Sequence, residues 1–205
     1  MLGTCTFHTA IGLCGLAFTE QGLAAVVLPS QTEAGTLRAV ARIATARKLE
    51  EGQPETAADP PAWVKAAIAS MTDLLAGGAA DLSSIPIDTR RLTPFSCRVH
   101  EAARAIPRGT CVSYGELARV VGSPRAARAV GRAMATNPWP IVVPCHRVVG
   151  SQGDLRGFSA PGGVRTKALM LAIERADGAS GVLPTSAPTT PRGKRSGQGL
   201  LPFKG

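Results

Sequence analysis

The sequence predicts an α/β N-terminal domain followed by a mostly α-helical C-terminal domain that contains a helix-turn-helix. Apolar runs of strand length fill the first part of the chain, whereas helix-capping patterns recur after Leu92. The charge changes at the same point. Residues 1–89 contain five basic and nine acidic side chains, and residues 90–175 contain fourteen basic and four acidic ones. We therefore expect domains at 1–89 and 90–176, followed by a basic tail at 177–205.

The N-terminal domain is predicted to begin with strands at 13–18 and 23–28, joined by a turn at 19–22. A capping-box pattern at 30–33 predicts a helix from there to about Ala46.

Three more elements are expected before the domain boundary. The polar, proline-containing segment 49–61 predicts a loop. Helical spacing predicts a helix over 63–75, which ends before Gly77. A short strand is expected at 85–87.

The second half is predicted to be helical, with clear signals at the helix ends. A Thr-Pro N-terminal pattern predicts a helix over 94–105, and a capping box predicts a short helix over 113–121. Ser-Pro introduces the next helix, 125–135, and this pair has the spacing of a helix-turn-helix. A last helix is expected over 163–175.

The helix predicted at 125–135 has a basic face. Arg125, Arg128 and Arg132 are spaced three and four residues apart, so they should share one side. Only Ala, Val and Gly lie between them, and small residues would allow the backbone to approach DNA closely. An ordinary exposed basic helix is the alternative.

The composition excludes several classes of protein. No apolar run reaches the roughly 18 residues that a membrane span needs. The start of the chain lacks the pattern of a secretory signal. The odd count of five cysteines at irregular spacing does not indicate a disulfide framework. We expect a reduced cytoplasmic protein.

Cys145 is the candidate nucleophile. It lies between Pro144 and His146 at the end of an apolar run, a setting that packing alone explains poorly. A thiol becomes a strong nucleophile only as the thiolate, and an adjacent imidazole or positive charge lowers its pKa.

Four motifs, at 112–118, 128–130, 137–138 and 144–148, together resemble the O6-alkylguanine-DNA alkyltransferase family in order and spacing. The match covers about residues 93–175. The resemblance implies a ribonuclease-H-like N-terminal domain. It also implies direct reversal of DNA damage, in which an alkyl group moves once from the position-6 oxygen of guanine in duplex DNA to the protein's cysteine, with no cofactor and no metal.

The resemblance also implies individual catalytic roles. Cys145 would accept the alkyl group, His146 would act as its base through a bound water, and Glu174 would hold His146. Asn137 would brace the turn around the cysteine. Tyr114 would donate a proton or hydrogen bond to the departing guanine.

The family resemblance further implies that the damaged nucleotide is rotated out of the duplex, with Arg128 filling the gap from the minor groove. The residues expected to contact DNA are Ser113, Arg125, Ala127, Arg128, Ala129, Gly131 and Arg132. Those expected to line the substrate pocket are Met134, Val148, Phe158 and Ser159.

Three positions depart from the family pattern. His100 stands where the family usually has tryptophan, so we expect a surface or lightly packed side chain. Phe158 replaces a tyrosine, which keeps a ring for stacking and removes a hydroxyl. The segment 159–163 is longer than usual and could reshape the pocket for larger alkyl groups.

Other functions stay open at this stage. A non-catalytic damage sensor of the same fold and a helix-turn-helix regulator are the alternatives, and both leave Cys145 unexplained. Cys5, His8 and Cys14 could be a fragment of a zinc site, although small buried cysteines are commoner than zinc ligands.

The tail 177–205 is predicted to be disordered from its Gly, Ser, Thr, Pro and basic composition. Near its end, Gln198, Leu201 and Phe203 form a pattern that resembles peptides bound by the bacterial sliding clamp. A chance match and a tip that folds back on the protein are the alternatives. We expect a bacterial, cytoplasmic monomer that joins the nucleoid when bound to DNA.

Overall fold

A four-stranded sheet forms the first part of the fold. The computed structural model describes residues 2–49, 54–155 and 157–174. Three strands form an antiparallel meander and a short fourth strand pairs in parallel with the first, which gives the order β3-β2-β1-β4. The strands are β1 (Gly3–Thr9), β2 (Gly12–Thr19), β3 (Gly22–Val27) and β4 (Glu55–Thr56). The two predicted strands are therefore confirmed, and the predicted loop at 49–61 is wrong where it contains β4.

Gly22 lies at the turn between β2 and β3, next to the backbone of Pro86. Its φ of 137° is one that other residues rarely adopt, and a Cβ there would overlap the backbone of Pro86. The predicted strand at 85–87 is wrong, because Pro86 has no amide to donate to a ladder. Only an isolated parallel bridge between Leu23 and Ile87 forms there.

Six α-helices lie in the described residues, and none of these is long and apolar enough to cross a bilayer. They are α1 (Glu33–Arg47), α2 (Ala62–Leu75), α3 (Pro94–Arg104), α4 (Tyr114–Val120), α5 (Ala127–Ala135) and α6 (Val164–Ile173).

Helix α1 packs against the sheet and begins later than predicted. Thr32 is its N-cap, since the Thr32 hydroxyl accepts a hydrogen bond from the Gly35 amide at 3.1 Å. The capping box predicted from Ser30 is wrong, because the Ser30 hydroxyl donates to the Thr32 carbonyl instead. Close packing of α1 on β2 requires Gly15, because a Cβ at this position would overlap the Val40 side chain.

The second half is helical, as predicted, and the capping box of α4 is confirmed. The Glu116 amide donates to the Ser113 hydroxyl at 3.1 Å, and the Glu116 carboxylate accepts from the Ser113 amide at 2.6 Å. Helix α5 begins at Ala127, so the prediction that Arg125 shares its face is wrong. The Ala126 amide bonds to the Ser123 carbonyl at 2.8 Å, which makes 123–126 a turn.

Strand β3 is tied to the loop that follows α5. The Val26 amide donates to the Pro138 carbonyl at 2.8 Å, and the indole Nε1 of Trp139 donates to the Leu23 carbonyl at 2.6 Å. Trp139 is fully buried, in a core cluster that contains residues from both halves of the chain. The sheet therefore positions the loop that precedes Cys145.

We expect Trp139→Phe to lower the free energy of unfolding by about 2 kcal/mol, because it removes a buried hydrogen bond and leaves unfilled volume. Urea denaturation at equilibrium would measure the loss. Trp63→Phe is the matched control, since Trp63 is only partly buried and makes no indole hydrogen bond within the described residues. Equal losses in the two variants would contradict the anchoring role of Trp139.

Candidate active site

A braced and strained loop holds Cys145. Asn137 spans this loop, since its Nδ2 donates to the Val143 carbonyl at 2.8 Å and its Oδ1 accepts from the Trp139 amide at 3.0 Å. Ile141 has a φ of 78°, which is unfavourable for a β-branched residue. Strain of this kind persists only where surrounding contacts over-determine the backbone. Asn137 supplies such contacts at the position predicted for a bracing residue.

The thiol of Cys145 is buried and only 7% exposed. Burial raises its pKa, while the hydrogen bond from Asn137, the charge of Lys167 and the backbone amides of Cys145 and His146 lower it in part. The net direction is upward. The thiol therefore stays protonated near neutral pH and needs a base to become a nucleophile.

His146, Arg147 and Glu174 form one buried hydrogen-bonded cluster. His146 Nε2 lies 2.9 Å from Glu174 Oε1. Arg147 donates to both oxygens of the same carboxylate, through Nε at 2.9 Å and Nη2 at 2.8 Å, and its Nη1 donates to the Ile106 carbonyl at 2.6 Å. No local pattern in the sequence indicates this role of Arg147, because its partner lies 27 residues away.

The protonation states of this cluster follow from its contacts. Burial raises the pKa of Glu174, but its hydrogen bonds and charge pairs with His146 and Arg147 prevail and lower that pKa to about 2. Burial lowers the pKa of His146, against the opposing effect of Glu174. An ionised carboxylate can only accept, so the neutral imidazole carries its proton on Nε2. Its buried Nδ1, which has no partner among the described residues, keeps a lone pair to accept a proton.

Lys167 is a fully buried cation beside the thiol. Its Nζ donates to the Val148 carbonyl at 2.6 Å and lies 5.9 Å from the centre of the Tyr114 ring. Burial lowers the pKa of Lys167, and the neighbouring thiols of Cys145 and Cys111 raise it in part. Burial of a lysine cannot be deduced from its neighbours in the chain, so no local signal in the sequence indicates this contact.

A cavity of about 450 Å³ opens on Cys145 from the side of α4 and α5. Burial raises the pKa of the Tyr114 hydroxyl, as do the charges of Cys145 and Asp154, so the hydroxyl is protonated and able to donate. The lining residues are Tyr114, Gly131, Met134, Ala135, Cys145, Gly157, Phe158 and Ser159. Val148, predicted to line the pocket, is fully buried and does not line this cavity.

A short parallel ladder brings the two halves of this site together. Strands β5 (Val112–Ser113) and β6 (Val148–Val149) pair with Val112 opposite Val148. Because Tyr114 follows β5 directly and Cys145 precedes β6 by three residues, the ladder places the tyrosine beside the cysteine.

The predicted DNA contacts differ in exposure. Arg128 and Arg132 are exposed on α5, and Arg125 is exposed in the preceding turn. Ala127, Ala129 and Gly131 are partly buried, as is Ser113 at the N-cap of α4.

The expectation that His100 is a surface or lightly packed residue is wrong. Its side chain is 1% exposed, Nε2 lies 3.2 Å from the Ala133 carbonyl, and the ring packs edge-on against Trp139 with centroids 5.5 Å apart. Its position on α3 faces α5, and burial lowers its pKa, so it is a neutral core histidine.

The structure does not support the alternative of an N-terminal zinc site. His8 is exposed while Cys14 is buried. Within the described residues, no group of three or more His, Cys, Asp or Glu side chains could hold a metal ion.

Comparison with known proteins gives one consistent result. The family described as 6-O-methylguanine DNA methyltransferase, DNA binding domain, matches residues 94–176. A crystal structure of Mycobacterium tuberculosis OGT in complex with DNA is 32% identical, with a TM-score of 0.65, over 87% of this chain and 95% of that one. This chain belongs to the O6-methylguanine-DNA methyltransferase family.

Curated relatives and a second structure extend the family comparison. The methylated-DNA--protein-cysteine methyltransferase of Salmonella typhimurium is 46% identical over 51% of this chain and 59% of the relative. That of Mycolicibacterium paratuberculosis is 47% identical over 47% of this chain and 58% of the relative. The matches thus span about three fifths of these relatives. The O6-methylguanine-DNA methyltransferase of Pyrococcus kodakaraensis, at 24% identity and a TM-score of 0.65, shares the fold.

We expect Glu174→Gln to lower the free energy of unfolding by about 3 kcal/mol, because it leaves the buried Arg147 guanidinium without its counter-charge. Adding Arg147→Met should recover a large part of that loss, since both charges are then absent. Urea denaturation of the single and double variants would measure both effects. A double variant as unstable as Glu174→Gln would show that Arg147 is not the source of the cost.

We expect Lys167→Met to raise the pKa of Cys145, because a nearby positive charge favours the thiolate. The check is the rate of iodoacetamide labelling at Cys145 against pH, followed by peptide mass spectrometry. Lys65→Met, which removes an exposed lysine, is the matched control. If the two profiles coincide, Lys167 does not activate the thiol.

Proposed function

We propose that this protein repairs alkylated DNA by direct reversal, in a single transfer of the alkyl group from the position-6 oxygen of guanine to Cys145. The observation that carries the proposal is the buried thiol beside a neutral histidine whose Nε2 is held by an ionised Glu174. Cys145, His146 and Glu174 thus resemble other activated nucleophiles, in which a third group orients the base that takes the nucleophile's proton.

The described residues supply each part of the transfer. His146 would take the Cys145 proton at Nδ1 through a bound water. The sulfur would attack the alkyl carbon, forming the S–C bond as the C–O bond breaks, and the electron pair would pass to the guanine. The protonated Tyr114 hydroxyl, in the same cavity, would donate to the ring and stabilise that charge. A thioether cannot be reversed by a reductant, so each molecule would act once.

The substrate of this reaction would be a flipped nucleotide. A guanine inside the duplex cannot reach a cysteine that is 7% exposed, so the base must leave the stack. The exposed Arg128 would fill the gap, while Gly131 and the alanines of α5 allow close approach to the minor groove. The regulator and sensor alternatives are less favoured, because neither uses the activated thiol.

Intact-mass measurement after incubation with a duplex that contains O6-methylguanine tests this proposal. The protein should gain the mass of one methylene, and Cys145→Ser should gain none. A wild-type protein that binds the duplex tightly with unchanged mass would be a sensor, and the proposal would fail.

We expect Arg128→Ala to slow transfer from duplex DNA at least tenfold more than transfer from free benzylguanine. Only the duplex reaction requires a nucleotide to be rotated out of the stack, which costs a few kcal/mol. Single-turnover rates on the two substrates would measure the difference. Arg119→Ala, on the exposed surface of α4, is the matched control. Equal losses on both substrates would contradict the role of Arg128 in the duplex.

Finer structural assignments belong to the same proposal. The sheet order β3-β2-β1-β4, with a parallel outer pair, supports the ribonuclease-H-like layout. Helices α4 and α5, separated by a turn, support the helix-turn-helix. We retain the division into domains at 1–89 and 90–176, a cytoplasmic location and a monomer as proposals.

The predicted sliding-clamp contact and the predicted disorder of the tail concern residues outside those that the structure describes. Tethering through Gln198, Leu201 and Phe203 would raise the local concentration of a single-use protein near lesions. Replacing Leu201 and Phe203 with Ala should abolish clamp binding and leave DNA affinity unchanged. Absence of clamp binding by the intact protein at concentrations on the order of tens of micromolar would end the clamp proposal.

A further inference from the structure

Cys145 borders a second cavity, on the side of the N-terminal sheet. This cavity, which we call the α1 cavity, has a volume of about 580 Å³. It shares Met134, Phe158 and Ser159 with the cavity that contains Tyr114, so the two spaces meet at the cysteine. Its far side is formed by α1, which contributes Ala39, Arg42, Ile43 and Arg47.

The geometry of the transfer directs bulky substituents into this space. In a displacement at carbon, the attacking sulfur and the departing oxygen lie on opposite sides of the reacting atom. Any chain attached to that carbon must therefore project sideways from the line between base and sulfur. With the base beside Tyr114, the open space on another side of Cys145 is the α1 cavity.

The wall of the α1 cavity is mixed near the thiol, where Asn137 and Ser159 contribute polar groups, and is cationic at α1. Pro140, Ala160 and Pro161 line the part that adjoins the cysteine loop, and the last two belong to the lengthened 159–163 segment. The two charged lining residues are Arg42 and Arg47, and no Asp or Glu lines the cavity.

Neither arginine makes a hydrogen bond or ion pair with a carboxylate among the described residues, although the charge of Asp88 acts on Arg47. Arg42 is exposed and makes no hydrogen bond or ion pair within the described part of the chain. Arg47 is fixed in place, since its Nη2 donates to the Asp88 carbonyl at 2.7 Å and its guanidinium lies 4.9 Å from the Trp139 ring centre. Its Nε is buried with no partner among the described residues. The cavity therefore offers charge and donors that suit an anion.

We propose that the α1 cavity receives guanine substituents that end in a carboxylate, and that Arg42 selects them over neutral substituents of the same size. The inference rests on the proposed transfer to Cys145. The chemistry at the reacting carbon is unchanged: the S–C bond forms, the C–O bond breaks, and the carboxylate stays on the alkyl group that Cys145 receives.

The test compares two isosteric substrates in the same duplex, O6-carboxypropylguanine and its neutral amide, O6-carbamoylpropylguanine. Wild-type protein should transfer the acid faster than the amide in single-turnover reactions. Arg42→Ala should lower the acid-to-amide rate ratio about fivefold, the size expected for a partly exposed ion pair, and Arg42→Lys should restore part of it. Arg38→Ala removes the same charge one turn earlier on α1, outside the cavity, and should leave the ratio at the wild-type value.

Each outcome supports or overturns the inference. A ratio that Arg42→Ala leaves unchanged overturns it; if both rates also fall by the same factor, Arg42 would instead contact a DNA phosphate. An equal loss of the ratio in Arg38→Ala would show that the overall positive charge of α1, and not Arg42 in particular, favours the acid. That result would also overturn the inference. Methyl transfer by the wild-type protein is measured alongside: its absence defeats the proposed function, whereas its presence with an unchanged ratio defeats only the role of Arg42.

Discussion

The buried carboxylate of Glu174 is the interaction on which the rest of the site depends. An isolated charge in this position would cost several kcal/mol, and its hydrogen bonds to Arg147 and His146 offset that cost. Because the carboxylate is thereby held ionised, it can only accept from His146. The imidazole proton is confined to Nε2, and the basic lone pair is confined to Nδ1. One buried charge thus sets the orientation, the tautomer and the protonation state of the base.

The thiol is placed by a different set of contacts, which come largely from outside its own segment. Strand β3 holds the loop at Pro138 and Trp139, and Asn137 closes that loop over Val143. The strained backbone at Ile141 persists because these contacts leave the loop little freedom. Trp139 also packs against His100, on the helix where the family usually has tryptophan. The N-terminal sheet is therefore part of the machinery that positions the cysteine.

Helix starts that depend on residues close together in the sequence could be predicted from the sequence. The capping box at Ser113 and the Thr-Pro start of α3 involve residues within one helical turn, and both were predicted correctly. The family resemblance, and not a local pattern, assigned Glu174 to the site of Cys145 and His146, and the structure places Glu174 Oε1 2.9 Å from His146 Nε2.

Long-range contacts account for what the sequence missed. The pairing of Arg147 with Glu174, the burial of Lys167 and the burial of His100 each depend on which helix faces which, and no pattern along the chain encodes that. Strand β4 is two residues long, too short for an alternating pattern. Arg125 was assigned to α5 because Ser-Pro can begin either a helix or a turn, and here it begins a turn.

The tautomer and charge of His146 test whether the ionised Glu174 carboxylate orients this histidine as a base. Nitrogen-15 chemical shifts and ring correlations of labelled protein report both, and they can be followed from about pH 5 to pH 8, where an ordinary histidine titrates. We expect a neutral imidazole with its proton on Nε2 near neutral pH, and that state should persist below the ordinary histidine pKa. A proton on Nδ1, or an imidazolium at neutral pH, would contradict this expectation.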